Sequence, residues 1–142
     1  MIAPDVNVLL YAFREDSERH PEYHAWLQNA LNGTEPVALF EPVLSAVLRI
    51  ATHPAIFKPP SPREAVEAFI DTCLAAPAAK AVRAETHHWT LFRSLCTKAA
   101  CRGNLIQDAF LAAIALEHDC TFVTTDGHYA RFPELRWRHP LD

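Results

Sequence analysis

The 142-residue sequence predicts an α/β domain with a mainly parallel sheet and helices on both faces. Two observations carry that expectation. Short runs of β-branched and other apolar residues alternate along the whole chain with stretches whose apolar residues recur at helical spacing. Residues 105–116 are apolar almost throughout, which suits an inner helix covered on every side, and the run 120–124 that follows reads as a central strand. In such a sheet the strands finish, and the crossover helices begin, along one edge, where ligands bind.

Taken in order, residues 1–4 form a first strand ending at Pro4, which has no amide hydrogen for a ladder, and Asp5 stands at the turn into a helix over VLLYAF. Pro21 suits the first turn of a second helix, which turns Tyr23, Trp26, Leu27 and Leu31 inward and stops at Asn32-Gly33. Residues 37–40 are the second strand. Glu41-Pro42 opens a helix with Val43, Leu44, Val47, Leu48 and Ala51 at helical spacing. The segment HPAIFKPP, 53–60, is too rich in proline for regular structure and predicts a stiff protruding loop carrying Lys58. Ser61-Pro62-Arg63-Glu64 has the pattern of a capping box, ahead of a helix that buries Ala65, Val66, Phe69, Ile70 and Cys73 and ends near Ala76-Pro77.

Residues 80–84 are an edge-strand candidate. Residues 85–101 place Trp89, Phe92, Leu95, Cys96 and Ala99 on one face of an amphipathic helix closed by Gly103, and Asn104 is the expected cap of the buried helix. After Asp126 come a short turn or helix over 127–132 and a last strand over 135–137.

Half of the residues are hydrophobic, enough for one core, so residues 1–142 are read as a single domain. A net charge of −4 and a pI near 6.0 exclude recruitment of nucleic acid by a global positive field, leaving that task to a local basic patch. Cys73, Cys96, Cys101 and Cys120 lie in or beside apolar segments without the paired short spacings of a zinc site, and are read as reduced thiols. No apolar run approaches the ~18 residues of a membrane span and no export signal stands at the start, so the expected location is the cytoplasm.

The chemistry resides in four acids. Asp5, Glu41 and Asp126 each follow a strand, and Asp108 lies one turn into the buried helix that begins at the same edge. Singly, each suits a helix N-terminus. Converged, two carboxylates ~4 Å apart repel by about 1 kcal/mol at bulk-water dielectric and about 4 kcal/mol at an effective value of 20, a penalty a bound cation removes. An all-oxygen donor set with no cysteine or histidine in matching places selects Mg²⁺ or Mn²⁺ over zinc. The chemistry that follows is phosphodiester hydrolysis, with one ion or two.

D-x-N near the start, an acid heading a helix that runs into L-R-I-A-T-H-P, the stretch G-N-x-x-x-D-A-x-L-A-A-x-A, and T-T-D followed by R-F-P-x-L-R-W together resemble a PIN-domain ribonuclease, most closely the VapC-like toxins of bacterial type II toxin-antitoxin modules. The resemblance spans residues 5–140 and lies in the order of the motifs. It implies a PIN-like three-layer fold and puts the acidic metal site on Asp5, Glu41, Asp108 and Asp126, with Asn7, Asn104 and Thr124 as polar supports. Glu41 departs from the pattern, since many relatives carry this acid deeper in the helix. The resemblance further implies an endoribonuclease dependent on Mg²⁺ or Mn²⁺, acting on tRNA or other structured RNA, a homodimer, and a cognate VapB-like antitoxin that neutralises it.

Arg14, Arg49, Lys58, Arg102, Arg131, Arg136 and Arg138 are the candidates for phosphate contacts, and the proline-rich loop is a candidate grip for RNA or antitoxin. His20 and His24, four apart, lack a third metal ligand, and the remaining histidines read as surface or packing residues. Trp26, Trp89 and Trp137 read as core or part of a dimer face. Two alternatives stand beside the ribonuclease: a module of the same fold that binds RNA or antitoxin with little turnover, and a phosphatase with an aspartyl nucleophile. Against the latter stand D-x-N in place of D-x-D and the lack of a suitably placed lysine.

Overall fold

A computed structural model describes residues 1–142. Five parallel strands, β1 (Ile2–Pro4), β2 (Val37–Phe40), β3 (Ala79–Val82), β4 (Thr121–Val123) and β5 (Trp137–Arg138), form one sheet in the order β3-β2-β1-β4-β5. Six helices connect them: α1 (Val6–Phe13), α2 (His20–Leu31), α3 (Glu41–Ala51), α4 (Arg63–Ala75), α5 (His88–Lys98) and α6 (Asn104–Glu117). The strand order sets the layers. From β1 the chain steps outward through β2 to β3, then returns to lay β4 on the other side of β1. Right-handed crossovers therefore put α1 to α4 on one face and α5 and α6 on the other. The helix contacts agree: α1 packs on α2 and α3, α3 on α4, and α5 on α6.

The inner strands β1, β2 and β4 are short and largely buried because they are apolar on both sides, as a sheet covered by helices requires, while the edge strands β3 and β5 carry exposed residues. Every residue of β1 and β2 is buried, and Ala112 to Ala115 of α6 are fully enclosed. The small alanine side chains let α6 lie close to the sheet. Between β1 and β4 the direction of the crossovers reverses, and a parallel sheet opens a crevice at the carboxyl ends of its strands there. Pro4 and Val123 are in register at that point, and the Asp5 amide continues the ladder by donating to the Val123 carbonyl at 2.8 Å.

Several local expectations are corrected. The cap of α6 is Gly103, with φ of 58°, and Asn104 is the first helical residue. Ser61 does not cap α4: its hydroxyl accepts from Arg14, and Pro62 occupies the capping position. Ala65 is exposed, leaving Val66 and Cys73 as the buried residues of α4. In α5 the buried residues are His88 and Leu95, while Trp89 is 62% exposed and so is not core. His88 fills that place because its Nε2 pairs with the Phe110 carbonyl at 3.0 Å and its ring packs on Phe92 and Phe110. The four cysteines are free thiols, and burial pushes those of Cys73 and Cys120 up to about 11.

Candidate active site

Only four polar or charged residues are buried in this chain, Asp5, Arg14, His88 and Thr124, and two of them are bonded to each other at the crevice. Asp5 leaves β1 with 7% exposure. Its Oδ2 accepts from the Thr124 hydroxyl at 2.6 Å, and its Oδ1 accepts from the Val6 amide at 2.7 Å. Thr124 leaves β4 one register step away, and its oxygen in turn accepts from the Asp126 amide at 3.0 Å. One threonine hydroxyl thus fixes the first acid and the backbone of the last. Asp126 accepts from the His128 amide at 2.8 Å and heads a 3₁₀ turn, Gly127–Arg131, which carries Tyr129 back into the core.

Asp108 lies in the second turn of α6, half-buried, and its Oδ1 receives the Tyr129 hydroxyl at 3.4 Å, a long and weak bond. Burial pushes the carboxyls of Asp5 and Asp108 above their ordinary range; the charge of Asp126 adds to both, and that of Asp108 adds to Asp5. Burial likewise pushes the Tyr129 hydroxyl up, with the three carboxylates adding to it, so it stays protonated as a donor. The three acids open into one cavity of about 460 Å³, walled by Asn7 of α1, Ser45 and Arg49 of α3, Gln107 and Leu111 of α6, and Tyr129.

A PIN-domain family model matches residues 2–135. The chain belongs to the PIN-domain family. Within it, this chain falls among the VapC-like toxins: it is 45% identical over its full length to ribonuclease VapC43 of Mycobacterium tuberculosis, covering 97% of that protein. It is 38% identical to ribonuclease VapC37 of the same species, over 96% of this chain and 94% of the relative. Among solved structures, the VapBC2 complex of Rickettsia felis bound to a promoter DNA fragment matches with a TM-score of 0.72 at 19% identity, over 98% of each chain. The sarcin-ricin-loop-cleaving toxin VapC20 of M. tuberculosis matches with a TM-score of 0.68 at 12% identity, over 92% of this chain and 93% of that one. The parallel five-stranded PIN-like fold is therefore shared well beyond the range of sequence likeness.

In this PIN domain the fourth acid does not join the others. Glu41, the first residue of α3, has a side chain 60% exposed, its Oε2 lies 3.8 Å from Arg83 Nε, and it is absent from the cavity wall. The expected convergence of four carboxylates is thus corrected to three. Helical phase alone does not exclude it, since Ser45 stands one turn after Glu41 and lines the cavity with Pro42, Ala46 and Arg49; Glu41 is the first residue of α3 and its carboxylate is turned toward Arg83 instead. Asn7 lines the cavity as expected, Thr124 is its internal support, and Asn104 is exposed and outside the lining.

Sequence reasoning passed over Ser45, Gln107 and Tyr129. A tyrosine three residues beyond the last acid was the one available signal. Arg14 is withdrawn from the phosphate candidates: it bonds Asp16, the Ser61 hydroxyl and the Pro59 carbonyl, and its guanidinium lies 4.0 Å from the Phe57 ring centre. It ties the proline-rich loop to the end of α1.

The donors facing the cavity are carboxylate oxygens, the set that hard divalent ions take, and raised carboxyls relax when a cation binds beside them. They do not form a ready cage, since no three acidic, histidine or cysteine side chains are grouped closely enough to hold an ion. His20 and His24 form no metal group either; Nδ1 of His20 is bonded to the Tyr11 carbonyl at 2.7 Å. No helix is long and apolar enough to cross a membrane.

Proposed function

We propose that residues 1–142 act as a single PIN-like unit and cut RNA as an endoribonuclease toxin held in check by a cognate VapB-like antitoxin. The observation that carries this is the gathering of Asp5, Asp108 and Asp126 from three elements into one cavity at the carboxyl edge of the sheet. The names of the relatives, ribonucleases VapC43 and VapC37, support the reaction, and the VapBC complexes among the fold matches support the antitoxin. The substrate is tRNA or another structured RNA, the active species a homodimer, and the compartment the cytoplasm.

Asp5, Asp108 and Asp126 would hold Mg²⁺ or Mn²⁺, which when bound supplies charge for the scissile phosphate and lowers the pKa of an attacking water. The protein's part is positioning. Thr124 and the Val6 amide hold Asp5 in one orientation, so that it faces the cavity without searching rotamers. Asp108, held by a single weak bond, is the carboxylate most free to accept a proton from water or to orient it. Tyr129 and Leu111 close the cavity floor against bulk solvent.

Purified protein is expected to cut RNA with Mg²⁺ or Mn²⁺ and to stop on addition of EDTA, with Asp108→Ala folded but inactive. Cleavage retained by Asp108→Ala, or unaffected by EDTA, sinks the mechanism. The second reading, a binding module with little turnover, is favoured by the lack of a ready three-ligand metal group and the outward turn of Glu41. Growth arrest by the Asp108→Ala variant, with no RNA cut, would select it.

A further inference from the structure

An acidic cavity is a poor host for a phosphodiester unless something on its wall carries the opposite charge. Most cations of this chain are already engaged: Arg83 with Glu41, Arg136 with Asp119, Lys98 with Glu134. Arg49 is not. It is exposed, its guanidinium makes no hydrogen bond or ion pair, and it is the one Lys or Arg among the residues lining the three-carboxylate cavity. It stands on α3 one turn after Ser45, which also lines the cavity. The pairing of Glu41 with Arg83 leaves no carboxylate on the wall of α3 to neutralise it.

From this placement we infer that Arg49 is the substrate-gripping residue of the site, donating through its planar guanidinium to the non-bridging oxygens of an RNA phosphate seated between α3 and the carboxylates. A guanidinium presents paired donors that match phosphate geometry, and an unpaired one gives up no internal bond when it binds. The cavity, about 460 Å³, has room for a phosphate and its ribose. This inference rests on the ribonuclease reading above and adds to it the group that holds the substrate. Arg138, unpaired like Arg49, is withdrawn from the phosphate candidates, since it lines a different hollow, beside Trp26 and Glu35, and no wall of the acidic cavity.

The test uses the whole chain as wild type, Arg49→Ala, Arg49→Lys and Arg138→Ala. Cleavage of bulk tRNA is followed with Mn²⁺, and binding of a labelled single-stranded oligoribonucleotide is measured against salt in an Asp108→Asn background. Loss of one charge-assisted contact predicts a fall in kcat/KM of about 10- to 100-fold for Arg49→Ala, carried mainly by KM. It also predicts a salt slope smaller by about 0.7, the share of one phosphate on single-stranded RNA. Arg49→Lys keeps the slope and recovers part of the rate, and Arg138→Ala changes neither. An Arg49→Ala protein with lowered thermal midpoint but unchanged slope and KM assigns Arg49 to the C-terminal turn of α3 and overturns the proposal. An equal loss of slope in Arg138→Ala overturns it too, by making the effect one of general charge. If the wild type neither binds nor cuts RNA, the ribonuclease reading itself has failed and this inference falls with it; wild-type cleavage matched by Arg49→Ala fails the inference alone.

Discussion

Helix α6 carries a carboxylate near each end, and the two live in opposite circumstances. Glu117, in its last turn, has a side chain only 6% exposed, at the helix end where negative charge is least welcome. Its two oxygens accept from the backbone amides of Glu85 and His87, each at 2.8 Å. Burial pushes it up, but those amides and the neighbouring histidines outweigh this and hold it below the ordinary range. Asp108, in the second turn, has one bond of 3.4 Å and faces like charge, and burial with that charge pushes it up. Glu117 is a satisfied carboxylate that fastens the loop ahead of α5 to α6. Asp108 is left short of partners on the open edge of the sheet, and the shortfall is what a substrate or ion can fill.

The largest effect that separates the two ends is on cleavage. Asp108→Asn is expected to lower the rate constant for RNA cutting by about 100- to 10,000-fold. Glu117→Gln leaves the rate per folded molecule unchanged, and an assay normalised to folded protein distinguishes them. On stability the order reverses. Glu117→Ala removes the acceptor for two amides and costs about 1–3 kcal/mol, seen as a lower urea midpoint. Asp108→Asn, which relieves repulsion, raises the metal-free thermal midpoint at neutral pH by about 2–4 °C for ~1 kcal/mol in a chain of this size.

Their pH dependences should also oppose. Glu117 has a depressed folded pKa, so its contribution is present above its unfolded value of 4.5 and is lost as pH falls through the folded one. Asp108 has a raised folded pKa, so its contribution is present below its unfolded value of 3.8 and is lost as pH rises through the folded one. The stabilisation by Asp108→Asn should therefore fade on acidification, while the penalty of Glu117→Gln shrinks only at still lower pH. Denaturation curves of both variants from neutral pH down to the carboxylate range check this, and parallel curves would dissolve the contrast. Thr124→Val, which strips the hydroxyl that donates to Asp5 and accepts from the Asp126 amide, sits between these cases: about 1–3 kcal/mol of stability and a reduced rate. The smallest effect belongs to Glu41→Gln, within about 0.5 kcal/mol in stability as an exposed surface change, with cleavage altered less than twofold.

The layered fold was legible because its signals are local. The runs that became β2 and α6 are apolar enough to be recognised alone, and alternation of strand and helix leaves few topologies. The three gathered acids were legible for the same reason: Asp5 and Asp126 follow strands, Asp108 lies one turn into a helix, and parallel topology sends all three to one edge. Where reading failed, rotation was at stake. Trp89 and His88 are neighbours in sequence, and which of them faces α6 depends on the pairing of His88 with Phe110. The last strand moved from 135–137 to Trp137–Arg138 because Leu135 is drawn into the core by its bond to the Phe132 carbonyl.

What the sequence determined by itself was a parallel α/β sheet with carboxylates at the edge where its strands end, since composition, periodicity and crossover handedness act over short range. What only the tertiary structure decided was which side chains share the cavity. Glu41, at the start of α3, turns to Arg83 just past β3, while Ser45 and Arg49, one and two turns further on, line the cavity beside acids from β1, α6 and the turn after β4, and such meetings join segments far apart in the chain.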